Sequence, residues 1–178
     1  GEPAAEVELM TPKGIALHLE VLDACLSPVE ACCGIRKDAG DDPDVTDGLT
    51  VYARVRKIRK PEIAIDGGEG VGRVTRPGLE QPVGSAAINR VPRQMIREGV
   101  EKICARFGYE GGLSVLIFIP GGEELAEKTF NPRLGIRGGL SVLGTSGIVE
   151  PMSEAALIET IRAELRVKAA GGKEYLLL

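Results

Sequence analysis

The stretch "KDAGDDPDVT", residues 37–46, sets four aspartates (Asp38, Asp41, Asp42 and Asp44) around a glycine and a proline, directly after Lys37. Carboxylates at that density can take a proton as a general base or stabilise a nearby positive charge. Like charges so close raise one another's pKa, which suits a base working near neutral pH. The same residues can equally build an Asx turn or hold a stray cation, and nothing in the spacing singles out one aspartate.

A second stretch, "IDGGEGVGR" at residues 65–73, mixes Asp66 and Glu69 with four glycines and Arg73. It reads either as a mobile surface turn or as backbone that comes close to a flat ligand, which glycine alone permits. Three further junctions carry glycine before a helix: residues 82–87 (Pro-Val-Gly-Ser-Ala-Ala), 120–123 (Pro-Gly-Gly-Glu) and 144–147 (Gly-Thr-Ser-Gly). Backbone N–H groups at such places can hold phosphate or carboxylate, though none matches a Walker loop or a full dinucleotide fingerprint. Between Arg54 and Arg106 there are twelve Lys or Arg against six Asp or Glu, a local +6 in a chain of net charge −4. Arginine forks suit an acidic ligand. Aromatics are only 3% of the chain and not interleaved with the basic residues, which disfavours stacking on nucleic acid.

The elements that would position these groups follow from periodicity. Residues 5–22 predict a hairpin around Pro12–Gly14, with Ile15, Leu17, Leu19 and Val21 on one face and His18 on the other. "VEACCGIRK" predicts a third strand running into the aspartate turn, and "LTVYARVRKIRK" a fourth, with Val51, Ala53, Val55 and Ile58 inward and Arg54 and Arg56 outward. The 28-residue stretch after it is too rich in Ile, Val and Leu for disorder and too long for a plain connection, as functional loops are. A helix over about 90–107 follows from Ile96, Val100, Ile103, Cys104 and Phe107 on one stripe, with Asn89 to cap it and Gly108 to stop it. "LSVLIFIP" predicts a buried strand, "GGEELAEKTF" a short helix, and "GLSVLGTSGIVEP" another strand with a glycine-rich exit. A second long helix over 153–170 is capped by Ser153, with Met152 and Leu157 as a hydrophobic staple and Gly171 or Gly172 at its end.

The expected class is α+β with a mixed sheet. At 178 residues the chain suits one domain with room for the start of another, and with no Trp the core must be aliphatic. No apolar run reaches the roughly 20 residues of a membrane span. The four cysteines show no metal-ligand spacing and read as reduced, buried thiols of a cytoplasmic protein. A first residue other than Met and a terminal "EYLLL" that reads as a strand stopping short suggest a piece of a longer chain.

Taken in order, "KDAGDDPDVT", "IDGGEGVGRVTRPGL", "PVGSAAINRVPRQMI" and "IPGGEELAEKTFNPRLGIRGGLSVLGTSGIVEPMSEAAL" resemble the cobalt-precorrin-5B C(1)-methyltransferase family of anaerobic cobalamin biosynthesis. The family's opening Gly-Thr-Cys segment and its second α/β domain have no counterpart here. The resemblance implies methyl transfer from S-adenosylmethionine to ring carbon 1 of a cobalt-containing tetrapyrrole, giving cobalt-precorrin-6A. It implies a split β-α-β arrangement like the second domain of ribosomal protein S5. Residues 1–151 would form an N-terminal α+β domain, truncated at its start, and 152–178 would lead into a second domain.

On this reading Asp38, Asp41, Asp42 and Asp44 supply the base or the sulfonium stabiliser. Lys37, Asp66, Gly67, Gly68, Glu69, Arg73, Arg76, Arg90, Arg93, Arg133 and Arg137 bind the carboxylate-rich substrate. Gly121, Gly122, Glu123, Gly144, Thr145 and Ser146 hold S-adenosylmethionine. Neither nucleic acid, membrane nor resident metal is expected, and a homo-oligomer is open. Two other readings remain: a non-catalytic tetrapyrrole carrier, and a galactokinase-like small-molecule kinase suggested by "PVGSAAI".

Overall fold

The structure, a computed structural model, describes residues 3–41, 44–144 and 153–172. The chain opens with β1 (Glu6–Met10) and β2 (Ala16–Glu20), the expected hairpin, in which Met10 pairs with Ala16. Its turn is closed by the Thr11 hydroxyl, which accepts from the Ile15 N–H at 3.0 Å, and by Gly14 at φ 77°. His18 is exposed, as the alternation predicts.

Five strands make the main sheet: β3 (Leu22–Leu26), β4 (Glu30–Arg36), β5 (Thr50–Ile58), β6 (Ile63–Gly67) and, after an excursion, β9 (Gly112–Phe118), in the order β3-β4-β5-β9-β6. Neighbours are antiparallel except β6 and β9, which run parallel. The two parallel strands are joined by α1 (Arg90–Phe107), so β9 inserts between β5 and β6, which are consecutive in the chain. Strand β3 escapes the alternation rule because Asp23 sits at φ 50° and the register slips between Leu22 and Cys25.

One face of the sheet holds the core. Val115 and Ile117 of β9 are buried, with Val51, Ala53, Val55, Ile63 and Ile65 from neighbouring strands and Ile96 and Val100 from α1 packed on them. Inward placement of Val51, Ala53 and Val55 therefore holds. The helix stripe does not extend as far as its period suggests: Ile103 is 54% and Phe107 74% exposed. The last turns of α1 run past the strands that cover its first half. Asn89 stands at the N-cap but gives no side-chain cap; its side-chain oxygen accepts from Gln81 instead. Gly108 ends the helix in a left-handed conformation, as expected.

The glycine-rich stretch is not simply a loop. It contains β7 (Gly70–Val71) and β8 (Arg73–Val74), and these pair with β11 (Gly139–Leu140) and β10 (Ile136–Arg137) respectively. Between them come α2 (Gly122–Ala126) and α3 (Asn131–Leu134). Three backbone segments meet here without side chains between them. A Cβ on Gly70 would stand 1.8 Å from the Ile119 carbonyl oxygen, one on Gly122 would meet the Gly70 carbonyl at 2.5 Å, and one on Gly139 would meet Gly70 at 2.3 Å. Further backbone bonds stitch the crossing: Gly72 N–H to Leu140 O at 2.8 Å, Ala87 N–H to Gly72 O at 2.7 Å and Val142 N–H to Ala87 O at 2.8 Å. Asn131, only 5% exposed, pins it from below by donating to the Gly139 carbonyl and accepting from the Ser141 hydroxyl. The strand expected over 139–151 is accordingly short, its described part being β11 and a bridge from Val142 to Ile88.

The last helix, α4 (Glu154–Ala170), is capped by Ser153, whose hydroxyl accepts from the Ala156 N–H. Met152 and the "EYLLL" strand lie outside the described residues. Val167 is the buried residue of α4, seated where Gly78 lets the helix backbone approach.

Replacing Gly70 tests the crossing. Both the φ of 70° and the carbonyl contact forbid a side chain, so Gly70→Ala is expected to lose at least about 3 kcal/mol. Gly99→Ala, in open space on α1, is expected to gain about 0.5–1 kcal/mol. Urea unfolding of both variants gives the comparison.

Candidate functional site

Strands β4, β6 and β9 run in the same direction, and all end where β5 begins. The register thus brings the aspartate turn (between β4 and β5), the 120–123 junction (after β9) and the Asp66–Arg73 stretch (after β6) to one end of the sheet. The N-terminus of α1 lies there too, because the helix returns from the end of β6 to the start of β9. Carboxyl ends of parallel strands are where open sheets place their ligands.

A cleft of about 380 Å³ opens at this end, lined among others by Asp66, Arg73, Gln81, Gly84, Ser85 and Arg93. Arg73 forks onto Asp66 at 2.7 and 3.1 Å and also donates to the Gly67 carbonyl at 2.7 Å. Burial alone would raise the Asp66 carboxyl. The Arg73 hydrogen bond, the Gly67 N–H and the charges of Arg73 and Arg93 outweigh it and hold the carboxyl below its ordinary range. The pair stays in contact with solvent, its side chains 42% and 55% exposed, so an incoming carboxylate can share the guanidinium. Arg137 is directly opposite Arg73 in the β8–β10 ladder and exposed. It forms no ion pair among the described residues, which makes it the freer cation of the two.

Arg93 has another role. Its three guanidinium nitrogens donate to the carbonyls of Ile88 (2.9 Å), Ile65 (2.8 Å) and Ala86 (3.3 Å). It ties α1 to β6 and to the cleft wall, and so keeps the cleft's shape rather than presenting a free fork. The remaining arginines spread around the rim. Arg90 is exposed and near Glu80 at 3.4 Å, Arg76 lies along Gly135, and Arg133 stands over the Phe130 ring. None of these three lines the cleft.

The glycines expected to face a flat ligand face the protein instead. Gly67 is buried against Val71 and Ala86, and Gly68 is half-buried against Leu116 and Phe118. Gly122 is buried on the Gly70 carbonyl. Their sequence pattern signals close backbone packing: Gly67, expected against the flat substrate, and Gly122, expected at S-adenosylmethionine, are both buried in protein. Gly121 differs: it is exposed, with nothing within 4 Å of a Cβ position. Glu69, Glu123 and Gly144 are exposed, while Thr145 and Ser146 lie outside the described residues.

In the aspartate turn most carboxylates build the turn. Asp38 accepts from the Gly40 N–H at 2.8 Å, an Asx turn, and Asp47 accepts from the Ala39 N–H at 2.9 Å. Asp44 accepts from the Thr46 N–H at 2.8 Å and its hydroxyl at 2.7 Å, and pairs with the Lys37 ammonium. Burial would push the Asp44 carboxyl up, but Lys37 and Thr46 hold it below the usual range. The expected upward shift from crowding is therefore reversed at Asp44, and Lys37 is engaged within the turn. Asp41 is exposed and takes no part in these bonds; Asp42 lies outside the described residues. The cysteines are free thiols, with Cys25 exposed and the other three half-buried, so they are less buried than expected.

The family model described as CbiD matches residues 1–151. The chain belongs to the CbiD family. Among curated relatives, the cobalt-precorrin-5B C(1)-methyltransferase of Ruminiclostridium cellulolyticum is 57% identical over 97% of this chain and 45% of its own length. The protein of that name from Geobacillus kaustophilus is 46% identical over 100% of this chain and 48% of its own. The crystal structure of a cobalamin biosynthesis protein from Archaeoglobus fulgidus superposes with a TM-score of 0.63 at 32% identity, covering 90% of this chain and 50% of that one. The chain spans about half the length of the relatives it matches. Among the described residues, no group of three or more His, Cys, Asp or Glu is placed to hold a metal, and no helix is long and apolar enough to cross a membrane.

Sequence reasoning passed over Gln81, which binds Asn89 across the cleft mouth, and the aromatic pair Tyr52 and Phe118, whose rings stack at 5.0 Å. The outward phase of Arg54 on β5 was the available signal for Tyr52, two residues before it on the same face.

Two outcomes test these assignments. Arg93→Met is expected to lose about 2 kcal/mol in urea unfolding, since three carbonyl partners lose a charged donor; an unchanged midpoint would contradict the clamp. Asp44 has a lowered folded pKa, so its stabilisation is present above the unfolded value of about 4 and disappears as pH falls through the folded one. Asp44→Asn is therefore expected to be less stable than the parent at neutral pH, with the gap closing in acid.

Proposed function

We propose that this chain forms the substrate-holding half of an S-adenosylmethionine-dependent methyltransferase acting on ring carbon 1 of cobalt-precorrin-5B, giving cobalt-precorrin-6A in cobalamin biosynthesis in the cytoplasm. The observation that carries the reading is the 57% identity with a relative of that name over nearly the whole chain. The site supports it: a solvent-facing Arg73 with Arg137 beside it suits the acetate and propionate carboxylates of such a substrate.

Each residue acts through its own chemistry. Arg73, fixed by Asp66 and the Gly67 carbonyl, presents its fork without first losing rotamer freedom, and Arg93 holds the wall behind it. Among the described aspartates of residues 37–46, Asp41 is the one left available to accept a proton from the ring, since Asp38 and Asp44 are engaged in the turn. S-adenosylmethionine supplies an electrophilic methyl group on a sulfonium. Gly121, open above its Cα, and the exposed carboxylate of Glu123 fit a cationic ligand of that kind; Gly122 does not. Antiparallel strands followed by α1 and β9 in one sheet are in keeping with an arrangement like the second domain of ribosomal protein S5, but its β-α-β unit is not split: β6 and β9, joined by α1, are direct parallel neighbours. Residues 1–151 read as its domain. The exposed Leu157, Ile158, Ile161 and Leu165 of α4 support reading 152–178 as the approach to a second one.

The test is anaerobic incubation of the complete protein with cobalt-precorrin-5B and methyl-labelled S-adenosylmethionine. Label is expected on the macrocycle, with Arg73→Ala lowering kcat/KM by about tenfold or more, chiefly through KM. Macrocycle binding with no transfer would leave a carrier instead of an enzyme.

A further inference from the structure

The sheet face opposite α1 carries no helix among the described residues, and its composition is unusual for a solvated surface. Reading across the register, one row runs Gly34, Tyr52, Phe118; the next runs Cys32, Arg54, Leu116, Asp66; the third runs Glu30, Arg56, Ser114. Tyr52 and Phe118 stack with ring centroids 5.0 Å apart and planes 13° from parallel. They are two of only six Phe and Tyr residues in the chain. Glycine keeps the ground beside them low. A Cβ on Gly34 would strike the Tyr52 ring at 2.7 Å, and Gly68 closes against Leu116 and Phe118 with no side chain of its own.

Cations edge this apolar centre. The Arg54 guanidinium lies over Phe118 at 5.2 Å, and its Nε is buried without a hydrogen-bond partner. Arg36 shares the face, one row beyond Gly34 and opposite Thr50, and like Arg54 pairs with no carboxylate among the described residues. Arg56 is held by Glu30, and Tyr52 donates its hydroxyl to Asp23. At its far edge the face ends in Asp66, whose partner Arg73 lines the cleft. Apolar centre, cationic rim and continuity with the cleft together match one kind of occupant.

We propose that this open face, centred on Tyr52, Phe118 and Leu116, seats the broad apolar face of a planar macrocycle whose peripheral carboxylates reach Arg36, Arg54 and Arg73. The inference rests on the functional reading above and deepens it. It moves the ring from the glycine loop, which is closed by its own packing, to the sheet. The aromatic pair supplies dispersion contact to a wide conjugated ligand, and Arg54 gains an acceptor for its unpartnered donor. Across β4 to β6 the face spans three strand spacings, about 14 Å, enough for a four-ring macrocycle.

The experiment is an anaerobic absorbance titration of the complete protein with two probes: cobyrinic acid, whose side chains are free carboxylates, and cobinamide, whose side chains are amides. Tyr52→Leu and Phe118→Leu are expected to weaken both probes by about tenfold. Arg54→Gln is expected to weaken cobyrinic acid by about tenfold and cobinamide by less than twofold. Lys128→Ala, on an exposed residue beyond α2, serves as the neutral control, and far-UV circular dichroism checks each fold. If the parent binds and the face variants bind within twofold while Arg73→Ala does not, the ring lies in the cleft; the functional reading survives and this inference is overturned. If the face variants change oligomeric state or melting temperature with corrinoid affinity intact, the face is a protein contact and the inference is again overturned. If the parent binds neither probe, the functional reading fails and takes the inference with it.

Discussion

The approach of Gly70 to the Ile119 carbonyl, with Gly122 and Gly139 closing on Gly70 from the other sides, is the constraint on which this fold turns. Three segments distant in sequence touch backbone to backbone, and none tolerates a methyl group. The chain between β6 and α1 is thereby fixed to the exit of β9 and to the 135–142 segment. Everything that lines the cleft hangs from that crossing: Arg73 one strand residue beyond Gly72, Ser85 and Ala86 on the return leg, and α1 beyond them. A flexible loop with the same residues would place Arg73 and Asp66 only on average. Here the Gly67 carbonyl, the Asp66 fork and the Arg93 clamp set the geometry before any ligand arrives.

The two faces of the main sheet divide the labour. Aliphatic side chains from β5, β6, β9 and α1 pack one face and provide the hydrophobic stabilisation. The other face holds Tyr52, Phe118, Leu116 and arginines, half-buried by one another and by no helix among the described residues. An α+β layer with one sheet face uncovered is incomplete as a packing unit. Leu157, Ile158, Ile161 and Leu165 of α4 are exposed as well.

Alternation and helical period reveal most of the elements, because each is dictated by residues within a few positions. The hairpin, β4, β5, β9 and the bounds of α1 and α4 all follow from local pattern. Strand β3 does not, since the bulge at Asp23 breaks its period. Nor does the exposed C-terminal end of α1, since whether Ile103 and Phe107 are covered depends on distant chain. The site is less legible for the same reason. Arg73 and Asp66 share a short stretch, and their pairing can be suspected from it. Arg93 looks like any basic residue in a first helical turn until its three carbonyl partners, on two other segments, are seen. Glycine clusters carry the deepest ambiguity. A glycine needed for a ligand and one needed for a neighbouring backbone are written with the same letter, and at Gly67, Gly70 and Gly122 the neighbour is protein. The aspartate run is similar: Asp38 and Asp44 are answered within the turn, which leaves Asp41 as the described aspartate of the run with no bond inside it.

The most direct single measurement is a crystal structure of the complete protein with a carboxylate-bearing cobalt corrinoid, the metal located by its anomalous scattering. The expected result is one cobalt position above the end of the sheet where β9 and β6 finish and β5 begins, with ring carboxylates against Arg73 and Arg54. Cobalt found instead beside the β1–β2 hairpin or along α4, with that end of the sheet bare, would contradict the assignment of this half as the substrate holder.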